Sequence, residues 1–265
     1  MRVDFLAHDP EIVRAIRLPF RHGSGVPEKC TLFPVQSWGE LSDRAEKNLF
    51  EVAIVQPSSS GKEAHGPDDL PNLARLAERL PPGKVVLILP RPLSTASFLR
   101  EVGVLGFPIV LVQGMDDDPG SMLRAIARAR TYSLAHSASE ALRASHDSGL
   151  RDQVLDVLAG WPPSKSVEDT SDHFHLHPKA LGRRLESGGF PNPGHLIRVG
   201  HLLEGLCLAR MGIRSMPRIA SLLHLGGAPP LSHLAKELTG ETFSDLKKTC
   251  WEREILAGVF EGLAG

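Results

Sequence analysis

Five residues in one short segment could together bind a polyanion. Ammonium and guanidinium groups donate hydrogen bonds to phosphate oxygens and to guanine edges, and an imidazole can donate to either. A small residue between the cations lets a helix enter a groove about 12 Å wide. The five residues are His177, Lys179, Ala180, Arg183 and Arg184. Their types and spacing predict a surface that contacts the bases and phosphates of double-stranded DNA.

Two short helices must hold these side chains in one orientation. Ser166 is a favourable N-cap for the first helix, and Pro178 suits the first position of the second. A helix, a tight turn and a second helix form the helix-turn-helix geometry, which lays its second helix in the DNA major groove. The side chains predicted to face inward are Val167, Thr170, Phe174, Leu181 and Leu185.

The same pattern recurs, less regularly, about 50 residues later, between Ser215 and Leu234. A leucine-rich helix over Gly194–Met211 is predicted to join the two units. Its inward-facing side chains are predicted to be Leu196, Val199, Leu202, Leu203 and Leu206. The candidate DNA contacts of the second recognition helix are Ser232, His233 and Lys236. Because these include a single permanent cation, we expect the first recognition helix to supply most of the base reading.

The total charge gives no sign of a nucleic-acid partner, since 30 Lys and Arg residues balance 31 Asp and Glu to a net charge of −1. The distribution is different, because seven basic residues stand against two glutamates between His177 and Arg218. Phosphate contacts need only a local basic surface, so this segment is compatible with DNA. An ordinary solvated face is the alternative explanation.

At 265 residues, with 42% hydrophobic and 23% charged residues, the composition is that of a globular protein with room for two domains. The longest apolar runs, Val85–Leu89 and Ile109–Val112, are too short to cross a bilayer. The N-terminus has no apolar segment of the signal-peptide type. Three widely spaced cysteines form no disulfide or metal-ligand pattern. We therefore expect a cytoplasmic protein with no membrane partner.

Strand-sized apolar runs alternate with helical patterns over the first 134 residues, and from residue 150 the chain is predicted to be entirely helical. Five βα units favour a doubly wound, five-stranded parallel sheet with helices on both faces. We predict an α/β domain over 1–134, a linker over 135–149 and a helical domain over 150–265. The predicted strands are Val3–Ala7, Thr31–Val35, Val52–Gln56, Val85–Leu89 and Pro108–Val112.

The helical region from about Gln153 to Lys247 resembles the DNA-binding domain of the AraC/XylS family of transcription regulators. The resemblance implies a sequence-specific DNA-binding regulator with two helix-turn-helix units. The second unit departs from the family pattern at its turn, where His224-Leu225 stands in place of Gly-Phe, and at Leu231-Ser232-His233, in place of Phe-Ser-Arg. The matching segments are Leu181–Leu185, Arg198 with Leu202-Leu203, Ile219-Ala220, Leu231–Lys236 and Thr239-Gly240.

The N-terminal region resembles a response-regulator receiver, a flavodoxin-like domain, in the order and spacing of its βα units. In that family an acidic pair after the first strand holds Mg²⁺, an aspartate after the third accepts a phosphoryl group, and a lysine follows the fifth. Here the matching positions are Ala7, His8, Gln56 and Gln113. A carboxamide cannot accept a phosphoryl group, and without carboxylates the metal has no ligands. The resemblance therefore implies a pseudo-receiver that does not depend on phosphorylation.

No other motif predicts catalysis or a metal site. His173, His175 and His177 would not converge on a metal from a helix that runs into a turn. Ser58–Lys62 lacks the opening glycine of a phosphate-binding loop. Asp116–Asp118 is predicted to cap the last helix of the N-terminal domain. We expect no enzyme activity, no metal and no cofactor.

Two other functions fit the same residues. A signalling adaptor would use both domains for protein contacts and keep its DNA-binding helices only as degenerate elements, as the weak second unit and the near-neutral charge allow. A ligand-sensing regulator would bind a small molecule at the carboxyl edge of the sheet. The adaptor and the ligand-sensing regulator both allow further partners, namely a second copy of the chain in a homodimer and a small-molecule or protein effector.

Overall fold

The computed structural model describes residues 2–7, 10–21, 31–57, 69–89, 96–116, 118–141, 148–159, 166–225, 228–249 and 252–260. The chain forms two compact units. The first consists of Met1–Ser133 with Arg210–Gly212, and the second of Leu134–Ala209 with Ile213–Gly265.

A five-stranded parallel sheet organises the first unit. The strand order β2-β1-β3-β4-β5 is that of a flavodoxin-like, doubly wound fold, which confirms the predicted fold class. Every described residue of β3 and β4 is buried, which explains why these strands are continuously apolar in the sequence. The strands are β1 (Arg2–Leu6), β2 (Thr31–Pro34), β3 (Val52–Val55), β4 (Val85–Leu89) and β5 (Ile109–Val112).

Helices alternate with these strands, as predicted. The hydroxyl of Ser37 accepts a hydrogen bond from the backbone of Glu40 and starts the second helix. The last helix continues to Ala141, so the first seven residues of the segment predicted as a linker are helical. Residues 142–147 lie outside the described ranges. The helices are α1 (Pro10–Arg21), α2 (Trp38–Glu46), α3 (Leu70–Arg79), α4 (Ala96–Val104) and α5 (Pro119–Ala141).

A buried ion pair joins β1 to α2. Asp4 is fully buried and accepts hydrogen bonds from Arg44, at 2.5 Å from Nε and 2.9 Å from Nη2. Arg2 lies 3.4 Å from the same carboxylate, and its guanidinium carbon lies 4.0 Å from the centroid of the Phe33 ring. The hydrogen bond to Asp4 raises the pKa of Arg44, against the opposing effect of burial. The charge at the centre of this strand is thereby compensated.

The second unit is entirely helical where it is described, and its core surrounds one central helix, α9. The five side chains predicted to face inward on this helix, Leu196 to Leu206, are all buried. The helices are the C-terminal part of α5, then α6 (Ser148–Leu158), α7 (Val167–His173), α8 (Pro178–Ser187), α9 (Pro193–Arg210), α10 (Met216–Leu222), α11 (Ala228–Thr239), α12 (Phe243–Leu246) and α13 (Glu252–Phe260).

Two close approaches fix helices against one another in this unit. A Cβ atom at Gly200 on α9 would lie 2.4 Å from the carbonyl oxygen of Leu158, so only glycine fits there. Phe190 and Phe260 pack edge to face, with ring centroids 6.2 Å apart, and both are buried. Trp251 lies outside the described residues.

Among the described residues, no helix is both long enough and apolar enough to span a membrane.

Candidate nucleic-acid interface

The first helix-turn-helix unit begins with the predicted cap and turns at a histidine. The hydroxyl of Ser166 accepts a hydrogen bond from the backbone of Asp169 at 3.1 Å. After α7, His175 adopts a left-handed conformation with φ of 53°, and its backbone N–H donates to Asp172. The next N–H, of Leu176, donates to the carbonyl of Ser171 at 2.9 Å. Together these bonds close a tight turn between α7 and α8.

The inward face of α7 differs in part from the prediction. Thr170 is buried as expected, but Val167 and Phe174 are only half-buried, and Ser171 is buried instead. The hydroxyl of Ser171 donates to the carbonyl of Val167 at 2.7 Å, and that of Thr170 donates to Ser166 at 2.9 Å. Bonding to the preceding turn lets the hydroxyl of Ser171 occupy an inward position that an apolar pattern does not predict.

His177 caps α8 with its ring. Its Nδ1 accepts a hydrogen bond from the backbone N–H of Lys179 at 3.3 Å. In the neutral ring the proton is then on Nε2, which can donate to another acceptor, and the side chain is exposed. Pro178 follows at the first helical position, as predicted. This outward N–H can donate a hydrogen bond to an acceptor such as a phosphate oxygen.

The surface of α8 has the predicted orientation. Leu181 and Leu185 are fully buried. The cations have no ion-pair partner among the described residues, so their donors face solvent. The exposed side chains are those of Lys179, Ala180, Arg183 and Arg184.

Ser187 belongs to the same surface and was not predicted. It is exposed one turn beyond Arg183, so Ala180, Arg183 and Ser187 follow one another at the i, i+3, i+7 spacing of a single helix stripe. Its hydroxyl donates to the carbonyl of Arg184 at 2.9 Å and still has lone pairs that can accept a hydrogen bond. The spacing alone could have identified it.

The second unit repeats the backbone of the first at an offset of 49 residues, from Ser166 to Ser215. The hydroxyl of Ser215 accepts from the backbone of Arg218 at 3.4 Å. His224 occupies the position of His175, has φ of 56°, and its N–H donates to Ser221 at 3.0 Å. At the turn where the AraC/XylS pattern has glycine, this chain therefore has a histidine in a glycine-like conformation.

The recognition helix of the second unit, α11, carries a different charge. Its predicted contacts Ser232, His233 and Lys236 are all exposed, as predicted. Glu237, also exposed on this helix, forms an ion pair with Arg198, and its carboxylate lies 3.6 Å from the His233 ring. The surface of α11 therefore has one permanent cation and one carboxylate, whereas α8 has three cations and one carboxylate.

Of the seven cations between His177 and Arg218, three are exposed on α8 and Arg218 is exposed on α10. Arg198 of α9 is occupied by Glu237, and Arg210 and Arg214 take part in other interactions. Glu204, one of the two acidic residues of the segment, is buried. A basic surface is therefore present where the first recognition helix is exposed, and it is smaller than the sequence count suggests.

The receiver-like positions lie at one edge of the sheet. Because all five strands are parallel, Ala7, Gln56 and Gln113 follow the carboxyl ends of β1, β3 and β5. Gln56 is buried, and its backbone N–H donates to Leu6 at 2.8 Å. The N–H of Gln113 donates to Leu89 at the same distance. His8 lies outside the described residues, as does Ser58–Lys62.

The acidic run before α5 has two roles rather than one. Asp118 caps the helix as predicted, accepting from the backbone of Gly120 at 2.7 Å and of Ser121 at 3.0 Å. Burial raises the pKa of Asp118, but the hydrogen bonds from Ser121 and Gly120 outweigh it, so the net shift is downward. Asp116 instead accepts from the backbone of Val112 at 2.9 Å and closes the turn after β5. Asp117 is outside the described residues.

The three spaced histidines do not form a metal site. His173 packs edge-on against Phe174, with ring centroids 5.0 Å apart. Burial lowers the pKa of His173, and the neighbouring His175 lowers it further. Within the described ranges, no three His, Cys, Asp or Glu side chains are placed to hold a metal ion.

Comparison with protein-family models gives no match, and comparison with curated proteins gives none either. Relatedness to the AraC/XylS and receiver families stays a prediction from the motifs. We therefore infer function from the geometry and charge of the two helix-turn-helix units.

Proposed function

We propose that this protein is a sequence-specific DNA-binding transcription regulator whose N-terminal unit is a pseudo-receiver. The observation that carries the proposal is the exposed face of α8. As the second helix of a helix-turn-helix unit, it presents Lys179, Arg183 and Arg184 outward with no carboxylate partner among the described residues. A helix with this charge and position suits the major groove. Membership of the AraC/XylS family and a cytoplasmic location are parts of the same proposal.

Each side chain of the face has a role that follows from its position. Arg183 lies on the central stripe between Ala180 and Ser187, where its planar guanidinium can bind guanine O6 and N7 together. Lys179 and Arg184 lie to either side, where they contact phosphates. The outward Nε2–H of His177 donates to a phosphate at the start of the helix. Specificity then comes from Arg183 and affinity from its cationic neighbours.

The N-terminal unit would transmit a signal without phosphoryl transfer. The receiver pattern has a metal ligand, a phosphoryl acceptor and a lysine at three positions, which are occupied here by Ala7, Gln56 and Gln113 respectively. The methyl group of Ala7 cannot bind Mg²⁺, the carboxamide of Gln56 cannot accept a phosphoryl group, and the neutral carboxamide of Gln113 cannot replace the cation. Protein contact, dimerisation or a small-molecule effector at the carboxyl edge of the sheet would provide the input instead.

Substitution of Arg183 by alanine tests the proposal. The protein is first used to select duplexes from a random-sequence pool, and the affinity for the selected duplex is then measured by gel shift. The Arg183→Ala substitution should weaken binding by about tenfold to a hundredfold and relax the preference at one base pair. Lys248→Ala is the matched control, since Lys248 is an exposed cation of the same unit that pairs with Asp245 outside both recognition helices. Equal affinity and preference in wild type and Arg183→Ala would reject the role of α8.

The adaptor function is favoured by one observation, the balanced charge of α11. An adaptor predicts that neither a selected nor a mixed-sequence duplex is retained at low salt. Because non-specific binding depends on phosphate contacts alone, its complete absence would indicate that the cations of α8 do not face DNA.

A further inference from the structure

Glu237 occupies the flank of α11 that faces the central helix of the unit. One carboxylate oxygen forms an ion pair with Arg198 on α9, and the other lies 3.6 Å from Nδ1 of His233, one turn earlier on α11. His195, one turn before Arg198, lies near enough for Glu237 to affect its titration. The carboxylate therefore contacts Arg198, lies close to His233 and acts electrostatically on His195.

Arg198 is the one permanent cation among these three neighbours. Burial lowers the pKa of His195, Arg198 lowers it further, and Glu237 opposes both effects. The net effect favours the neutral form of His195. The ion pair fixes α11 to α9 through two side chains that are each partly exposed, at 43% and 39%. Exposed ion pairs of this kind add little to the stability of the fold. We therefore look for the role of Glu237 in its effect on the surface charge.

We propose that Glu237 is a specificity-determining residue that restricts DNA contact by α11 and leaves base reading to α8. Its carboxylate adds a negative charge to the surface of α11, and by pairing with Arg198 it holds that guanidinium away from phosphates. A carboxylate within about one Debye length, 8–10 Å, of the DNA backbone repels it. This inference rests on the proposed DNA-binding function and concerns its second helix-turn-helix unit.

Two variants that break the same ion pair separate charge from geometry. Glu237→Gln removes the carboxylate and frees Arg198, so affinity for the selected duplex should rise about threefold at low salt. The dependence of log affinity on log salt should become steeper by about one. Arg198→Gln breaks the pair but leaves the carboxylate, so affinity should fall by a similar factor. If the pair acts only by fixing α11, the two variants would instead change affinity in the same direction.

Glu241→Gln is the matched control, since Glu241 is an exposed glutamate two residues beyond α11 whose carboxylate forms no contact among the described residues. Thermal unfolding of every variant checks that the fold is kept. Equal affinity and salt slope in Glu237→Gln and Glu241→Gln would reject the inference while Arg183→Ala still weakened binding. Loss of the Arg183 effect, or no duplex binding by the wild type, would reject the proposed function and this inference with it.

Discussion

At the scale of single residues, the fold disfavours ionisation of the carboxyl group of Asp156. It lies on α6, four residues after Asp152, and forms no ion pair among the described residues. Burial raises its pKa to about 7, and repulsion from Asp152 contributes to the shift. The folded protein therefore binds a proton at this position more tightly than the unfolded chain does.

The sign of the pH dependence follows from this shift. A raised pKa in the folded state gives stability that is complete below pH about 4 and is lost as the pH rises toward 7. The loss should reach at most about 4 kcal/mol, and less where water hydrates the carboxylate. Asp156→Asn should remove it, so this variant should be more stable than wild type at pH 8 and similar at pH 4.

Urea unfolding at both pH values measures the effect of Asp156→Asn. Asp152→Asn is the control, because it removes the repulsion together with an exposed 3.9 Å contact to Arg151 and should give a smaller gain in the same direction. Identical unfolding free energies for wild type and Asp156→Asn at pH 8 would contradict the expected ionisation.

The inward-facing residues predicted from helix periodicity are confirmed on α8 and α9 and only in part on α7. The spacing of Leu181 and Leu185 is sufficient to place Arg183 on the outer surface of α8. The ion pair of Arg198 with Glu237 was not foreseen, because the two residues are 39 positions apart and only tertiary packing brings them together. The buried pair of Asp4 and Arg44, 40 positions apart, was missed for the same reason.

At the scale of elements, two helical glycines have opposite surroundings. Gly200 on α9 faces the carbonyl oxygen of Leu158, 2.4 Å from the position of a Cβ atom, whereas nothing lies within 4 Å of that position at Gly182 on α8. Gly200→Ala should lower the free energy of unfolding by about 1–3 kcal/mol through overpacking. Gly182→Ala should raise it by about 0.5–1 kcal/mol, because alanine restricts the unfolded chain.

Denaturant unfolding of the two alanine variants gives the comparison directly. Since both substitutions add one methyl group within a helix, each serves as the control for the other. A loss of stability at both positions, or at neither, would contradict the packing of α9 against the end of α6.

Most elements could be predicted because buried parallel strands are short apolar runs bounded by turn residues. The length of α5 could not be, since Ala135–Ala141 is rich in small and polar residues and has no clear apolar stripe. Polar residues that bond to the preceding turn, such as Ser171, also conceal the inward face of a helix. Apolar patterns identify elements better than they identify ends and polar faces.

At the scale of the whole molecule, the proposed pseudo-receiver makes a chemical prediction. Incubation with acetyl phosphate and Mg²⁺ should leave the mass of the intact protein unchanged and its DNA affinity unaltered. Gln56→Asp should also stay unmodified, because Ala7 and Gln113 still lack the metal ligand and the cation that phosphoryl transfer needs.

Intact mass spectrometry and the gel shift together measure this outcome. A known phosphorylated receiver treated in parallel shows that the reagent is active. Acquisition of one phosphoryl group by the wild type, with a change in DNA affinity, would overturn the phosphorylation-independent mechanism.

The net charge of −1 conceals the charge distribution on which the proposed DNA binding depends. Of the seven cations between His177 and Arg218, three are exposed on α8 and Arg218 is exposed on α10. Arg198, Arg210 and Arg214 take part in other interactions, so the unoccupied basic surface is smaller than the sequence count suggests. The sequence could therefore indicate where a nucleic acid would bind and could not give the size of that surface.

The constant offset of 49 residues between the two helix-turn-helix units has an evolutionary consequence. Capping serines and left-handed histidines recur at equivalent positions, which is what an internal duplication would leave behind. After a duplication, the positions that fix the backbone are constrained, whereas the exposed positions of each copy can diverge. One copy can then keep an older recognition task while the other acquires a new one, without any change in the scaffold they share.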